Sequence, residues 1–223
     1  MSHREHDPDT DSVFEHIREC GVLPVVTLDH AEDALRVGEA LLRGGLPCAE
    51  VTFRTDAGLA ALAALADHLP ELSVGAGTVL TVDQARRATE AGGRFVVSPG
   101  FDDDVVAWCR DHHIPTLPGV MTPTEVTRAV RSGLSWVKFF PAGAAGGPTT
   151  LEALSAPFPD VHFVPTGGIG PANLTAYLRV PAVAACGGSW LVGRSLVAGG
   201  DFAQIERLAA EAVAIVRRAR DRS

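Results

Sequence analysis

Of the 19 lysines and arginines in the chain, Lys138 alone is a lysine, and it sits inside the apolar run WVKFFPA. Alternation along that run puts Trp136, Lys138 and Phe140 on one face and Val137 and Phe139 on the other. A lysine is almost never fully buried without a partner, so its amine either reaches out of an end of the fold or serves chemistry. In the second case burial disfavours the charged form, and a neutral amine can attack a ketone to give an imine, which is an electron sink. That chemistry needs a proton relay. In CAEVTF, Glu50 projects to the same side as Thr52 and Arg54, so a carboxylate and a guanidinium come together at one end of a run. The residues alone leave open that Lys138 snorkels and that Glu50 and Arg54 form a structural ion pair.

Two glycine pairs suggest a second kind of contact. PTGGIGPAN carries Thr166, Gly167 and Gly168 between an apolar run and a helix start, and CGGSWLVG repeats the pattern with Gly187, Gly188 and Ser189. Backbone N–H groups exposed at such turns can cradle phosphate. Glycine pairs also serve ordinary turns, and that use stands beside the first. Thr78, Ser98 and Pro99 complete the inventory of residues at the ends of runs. Asp102, Asp103 and Asp104 read as a helix start, and His112 and His113 as a helix end, where their charges suit the dipole. No HxH or HExxH spacing occurs, and Cys20, Cys48, Cys109 and Cys186 are too scattered for a zinc site, so no metal and no cofactor is expected.

The elements that must position these residues form a repeat. Eight apolar runs begin at Leu23, Cys48, Ser73, Phe95, Ile114, Trp136, His162 and Val183, with an amphipathic stretch between each pair. Their near-regular spacing, without a Ser/Gly linker, predicts an α/β fold, a (β/α)8 TIM barrel, with Ser12 to Cys20 as a short N-terminal helix plugging its floor. An open doubly wound sheet would carry its glycine fingerprint after the first strand, where Asp29, His30 and Ala31 stand instead. Thr81 with Gln84 and Thr122 with Glu125 are spaced as capping boxes, Pro123, Pro148 and Pro171 suit first turns, and Asp201 to Arg220 reads as the closing helix. Residues 1–10 are expected to be a flexible terminus and 11–223 a single barrel domain. In such a barrel the chemistry gathers at the C-terminal strand ends, and phosphate often sits after strands seven and eight. The net charge of −8 argues against nucleic-acid or anionic-membrane partners. A polar beginning without an apolar signal segment points to the cytoplasm.

EVTFRT, VGAGTVLT, SPGFD, IPTLPGVMTPTE, VKFFPA, PTGGI and CGGSWLV, in this order from Gly21 to Arg218, resemble the 2-keto-3-deoxy-6-phosphogluconate (KDPG) aldolases, which often also accept 4-hydroxy-2-oxoglutarate. The resemblance implies a metal-independent class I aldolase, typically homotrimeric, acting on 2-oxo acid and sugar-phosphate substrates. It implies that Lys138 is the Schiff-base lysine and Glu50 the acid/base. Arg54 and Thr78 would hold the pyruvate carboxylate, Thr166 the substrate's hydroxyl or carbonyl region, and Pro99 and Phe140 the pocket wall. Gly167, Gly168, Gly188 and Ser189 would take the phosphate. Phe53 and Met121 depart from the usual pattern. Arg54 favours the gluconate type over related 2-dehydro-3-deoxy-6-phosphogalactonate aldolases, which usually lack that arginine.

Other functions lack their residues. A barrel isomerase or epimerase needs opposed carboxylates or metal-binding histidines, and a metal-dependent aldolase needs the latter. A non-catalytic sugar-phosphate-binding barrel would keep the glycine loops but have no use for Lys138 with Glu50.

Overall fold

The computed structural model describes residues 8–221. Every apolar run contains a strand: β1 (Val22–Val26), β2 (Cys48–Thr52), β3 (Ser73–Gly77), β4 (Val96–Val97), β5 (Thr116–Leu117), β6 (Gly119–Val120), β7 (Trp136–Phe139), β8 (His162–Pro165) and β9 (Cys186–Gly188). The fifth expected strand is thus split in two. Pro118 between the halves has no N–H for the ladder, while its carbonyl accepts from Lys138 N at 2.9 Å.

All pairings are parallel, in a sheet ordered β5-β4-β3-β2-β1-β9 and a second ordered β6-β7-β8. Bridges Thr166↔Gly187 and Phe163↔Val183 join the β8 and β9 segments, and Pro118 joins β5 to β6. The sheet therefore curls round on itself as the expected barrel, with helices outside.

Closure gives every strand an inner and an outer face, and the apolar residues sort accordingly. Val22, Val26, Ala49, Val51, Val74, Ala76, Val137, Phe139 and Phe163 pack outward against the helices. Leu23, Cys48, Phe95, Val97, Leu117, Trp136, Val164 and Ala185 form a separate inner cluster together with Phe14 and Ile17. The last two come from the N-terminal helix, so that helix floors the barrel as expected, and the rings of Phe14 and Trp136 stack 5.1 Å apart. The helix spans Pro8–Cys20, starting earlier than the expected Ser12; Pro8, Asp9 and Thr10 are helical, and the rest of the expected flexible terminus lies outside the described residues. Its C-terminal end is tied to the closing helix Phe202–Arg220, because Arg220 Nη1 donates to the Glu19 carbonyl at 2.9 Å.

Most helix starts follow their caps. Thr122 and Glu125 make the full reciprocal box ahead of Pro123, Pro148 lies in the first turn of its helix, and Asp102 accepts from Val105 N at 2.9 Å. Two expectations need correction. Thr81 caps Gln84 N, but the Gln84 side chain accepts from Leu80 N rather than from Thr81, so the box is only half formed. Pro171 does not open a helix: the regular helix is Leu174–Leu178, and the preceding residues form a turn held by Gly170 N donating to Asn173 Oδ1 at 2.9 Å. The Gly170 carbonyl accepts from Asn173 N at 3.1 Å and from Leu174 N at 2.9 Å, so the turn runs on into the helix, and the asparagine side chain satisfies the Gly170 N–H, which no helical bond would use.

Candidate active site

Within β2 the inward positions are Cys48, Glu50 and Thr52; within β7 they are Trp136 and Lys138, followed by Phe140. Cys48 and Trp136 belong to the apolar floor. One step up each strand, Glu50 and Lys138 meet across the barrel. Lys138 Nζ donates to Glu50 Oε1 at 3.0 Å and to Oε2 at 3.4 Å. The two residues are 88 positions apart in sequence and only 4% and 1% exposed. Neither charge could be buried alone at acceptable cost, and paired they satisfy each other. The snorkelling alternative is thereby excluded, and so is the Glu50–Arg54 ion pair: Arg54 is exposed in the turn after β2 and has no ion-pair partner among the described residues.

Around this pair the strand ends supply the rim. Phe140 lies over the lysine, with Nζ 5.5 Å from its ring centroid. Thr52 is fully buried one step above Glu50, and its Oγ1 is 2.7 Å from Thr27 Oγ1. Thr78, directly after β3, holds a left-handed backbone with φ of 60°. A β-branched residue there is a strained outlier, which marks a position whose side-chain direction matters. Pro99 follows β4 half-buried, and Thr166 follows β8 buried. The expected carboxylate-binding residues therefore stand at the same C-terminal end as Lys138.

The two glycine loops lie side by side. Gly167 and Gly168 have φ of 98° and 75°, which only glycine adopts without strain. Their carbonyls are engaged elsewhere: Gly143 N donates to Gly167 O at 2.8 Å, and Asn173 Nδ2 to Gly168 O at 2.9 Å. Gly168 is exposed here, next to the buried Gly188 and the exposed Ser189. The bridge Thr166↔Gly187 fixes one loop against the other.

Asn173, which pins this loop from both sides, was absent from the residues singled out in the sequence, although its place in PTGGIGPAN is the available signal. Asp102, Asp103 and Asp104 stay at their helix start, and His112 ends that helix with its ring stacked on Trp108. Among the described residues no group of three or more His, Cys, Asp or Glu side chains could hold a metal ion. No described helix is long and apolar enough to cross a membrane.

Comparison with known proteins bears on this geometry. The family model described as "KDPG and KHG aldolase" matches residues 13–208. A "2-dehydro-3-deoxy-phosphogluconate aldolase" of Treponema pallidum is 48% identical over 205 residues, covering 92% of this chain and 98% of that protein. Among solved structures, the KDPG aldolase of Legionella pneumophila "with pyruvate captured at low pH as a covalent carbinolamine intermediate" superposes with a TM-score of 0.86 at 38% identity, covering 92% of this chain and 98% of that one. The 2-keto-3-deoxy-6-phosphogluconate aldolase of Zymomonas mobilis ZM4 with 3-phosphoglycerate gives 0.86 at 40% identity, covering 93% and 96%.

Proposed function

The chain belongs to the KDPG and KHG aldolase family and is a Schiff-base, class I aldolase, and we propose that Lys138 is its imine-forming amine and Glu50 its proton relay. The observation that carries this reading is the buried 3.0 Å contact between Lys138 Nζ and Glu50 Oε1 at the open end of the barrel. The substrate is 2-dehydro-3-deoxy-6-phosphogluconate, split into pyruvate and glyceraldehyde 3-phosphate. The family's second substrate, 4-hydroxy-2-oxoglutarate, would give pyruvate and glyoxylate.

The residues order themselves into steps. Glu50 first takes a proton from Lys138 Nζ, the freed amine attacks the keto carbon, and Glu50 returns that proton to the carbinolamine hydroxyl, which departs as water to leave the iminium. The iminium then draws in the electrons of the bond between the third and fourth carbons while Glu50 takes the proton of the fourth-carbon hydroxyl. The aldehyde departs and an enamine remains. Protonation of its methylene carbon and attack by water release pyruvate and restore the amine.

Arg54 and Thr78 are assigned to the pyruvate carboxylate, Thr166 to the hydroxyl region, and Pro99 and Phe140 to the pocket wall. Gly167, Gly168, Gly188 and Ser189 are assigned to the phosphate, an assignment supported by the two adjoining glycine loops with Gly168 and Ser189 exposed on them. Residues 11–223 are taken as one catalytic domain. A homotrimer is proposed on family likeness. Leu80 and Met121, 56% and 47% exposed, are the apolar surface that assembly would cover, and light scattering tests it. A cytoplasmic setting is proposed from four cysteines that are all unpaired.

The test is borohydride reduction in the presence of pyruvate, followed by peptide mapping. A reduced adduct on the peptide carrying Lys138 is expected; its absence would overturn the mechanism. For the phosphate loops, Ser189→Ala should raise KM for the phosphorylated substrate and leave that for 4-hydroxy-2-oxoglutarate unchanged. Equal loss on both would remove Ser189 from the phosphate site.

A further inference from the structure

Gly77 is the last residue of β3, and its inner face abuts the Glu50 carboxylate. Its φ lies outside the left-handed region, so backbone conformation gives no reason for glycine at this position. Space does. A Cβ at position 77 would stand 2.3 Å from Glu50 Oε1, 2.5 Å from Cγ and 2.7 Å from Cδ, all far inside van der Waals contact. Oε1 is the same oxygen that accepts from Lys138 Nζ at 3.0 Å. The one-step neighbour on the same face supplies a contrast. At Gly75 a Cβ would meet the Phe95 ring at 2.4 Å, in the apolar floor. One strand thus leaves two gaps on its inner face, the lower filled by an aromatic ring and the upper by a carboxylate.

We propose that Gly77 is a positioning residue for the aldolase reaction: its missing side chain is the seat that holds the Glu50 carboxylate within proton-transfer reach of the amine on Lys138. The inference rests on the roles given to Lys138 and Glu50 above. Glu50 is 1% exposed, so its carboxylate cannot yield toward solvent. A methyl group at position 77 must instead push it across the barrel and alter its distance and angle to Nζ. The lysine itself stays where it is. Imine formation, which also draws on Glu50, should therefore be slowed but still reach the trapped adduct given time, while turnover and enamine protonation suffer; a misplacement of about 1 Å is enough to cost roughly 10²-fold in rate.

The experiment compares Gly77→Ala with the wild-type enzyme on two readouts. The first is borohydride trapping of pyruvate on Lys138; the second is exchange of the pyruvate methyl protons in D2O, which requires proton transfer to and from the enamine. Gly77→Ala should still be trapped after prolonged incubation, with exchange and kcat down about 10²-fold and KM within a few-fold. Glu50→Asp, one methylene shorter, should make room for the new methyl. In that background adding Gly77→Ala should change the exchange rate by less than a few-fold, a strong departure from additivity. Gly75→Ala serves as the packing control: it should lower Tm without changing exchange per trapped site.

Wild-type exchange in Gly77→Ala, or additive losses in the double variant, would overturn the proposal. If Gly77→Ala does not fold, the Glu50→Asp/Gly77→Ala pair should fold and match Glu50→Asp, and failure to do so would also overturn it. A wild-type enzyme that forms no adduct on Lys138 would instead bring down the mechanism on which the proposal stands.

Discussion

The inside of this barrel is built twice from the same strands, once as a floor and once as a reaction chamber. β2 contributes Cys48 to the floor and Glu50 above it; β7 contributes Trp136 and then Lys138; β3 leaves room first for Phe95 and then for the Glu50 carboxylate. The floor is held by apolar contact and by stacking of Phe14 on Trp136, and the helix Pro8–Cys20 closes it. The layer above contains a buried ion pair, and polar strand ends lead from it to solvent. The difference shows how a barrel makes a one-ended site: access to the amine is from above because everything below it is packed. It also predicts opposite sensitivities. The floor should respond to changes in volume, the upper layer to changes in chemistry at constant volume.

The sharpest break is Lys138→Met, which keeps volume and apolar stem but removes the amine. Pyruvate release should fall by about 10⁴-fold or more, as expected when a nucleophile is lost, and borohydride should trap nothing. Retained turnover at a tenth of the wild-type rate would mean the imine forms elsewhere. Glu50→Gln, another near-isosteric change, should lower kcat by about 10² to 10⁴-fold while the lysine can still be reduced onto pyruvate. A kcat within a few-fold of wild type would contradict its role as relay.

Trp136→Ala tests the floor. Removing the ring should cost about 3 to 5 kcal/mol of unfolding free energy, measured by denaturant titration, while kcat per folded molecule stays within a few-fold. A catalytic collapse without loss of stability would erase the distinction between the two layers.

The smallest effect belongs to His162, at the lower edge beside Trp136 with ring centroids 4.9 Å apart. Burial, then the positive Arg18, lowers its pKa below the usual 6.5, with Glu15 and Asp160 opposing. The folded state therefore binds fewer protons than the unfolded state between the two values, and stability rises with pH through that window. Below the folded pKa the contribution is fully lost. His162→Gln should flatten the stability profile just below pH 6.5, and an unchanged slope there would assign the pH dependence to other groups.

Much of this arrangement follows from local rules. The inward placing of Glu50 and Lys138 is a consequence of two-residue alternation, which is a property of any extended strand. The floor helix, the Thr122 cap and the Asp102 cap are likewise readable over a few residues. Where local rules compete, the sequence was a poorer guide. Pro171 could begin a helix as easily as a turn, and it lies in a turn closed by Asn173 N on the Gly170 carbonyl, ahead of the helix at Leu174. Pro118 in the fifth run divided one strand into two because it lacks an N–H.

The largest ambiguity concerned the partner of Glu50, since Arg54 lies four residues away along the chain and Lys138 lies 88 away. The amino-acid sequence by itself determined a parallel barrel with glycine loops on its last strands, a single lysine sharing a strand face with Trp136, and a carboxylate sharing one with Thr52. Tertiary structure decided that the carboxylate would meet the lysine, and that Gly77 would leave the space it occupies. Alternation sets which way a side chain points, but only the curvature of the closed sheet sets what it finds there.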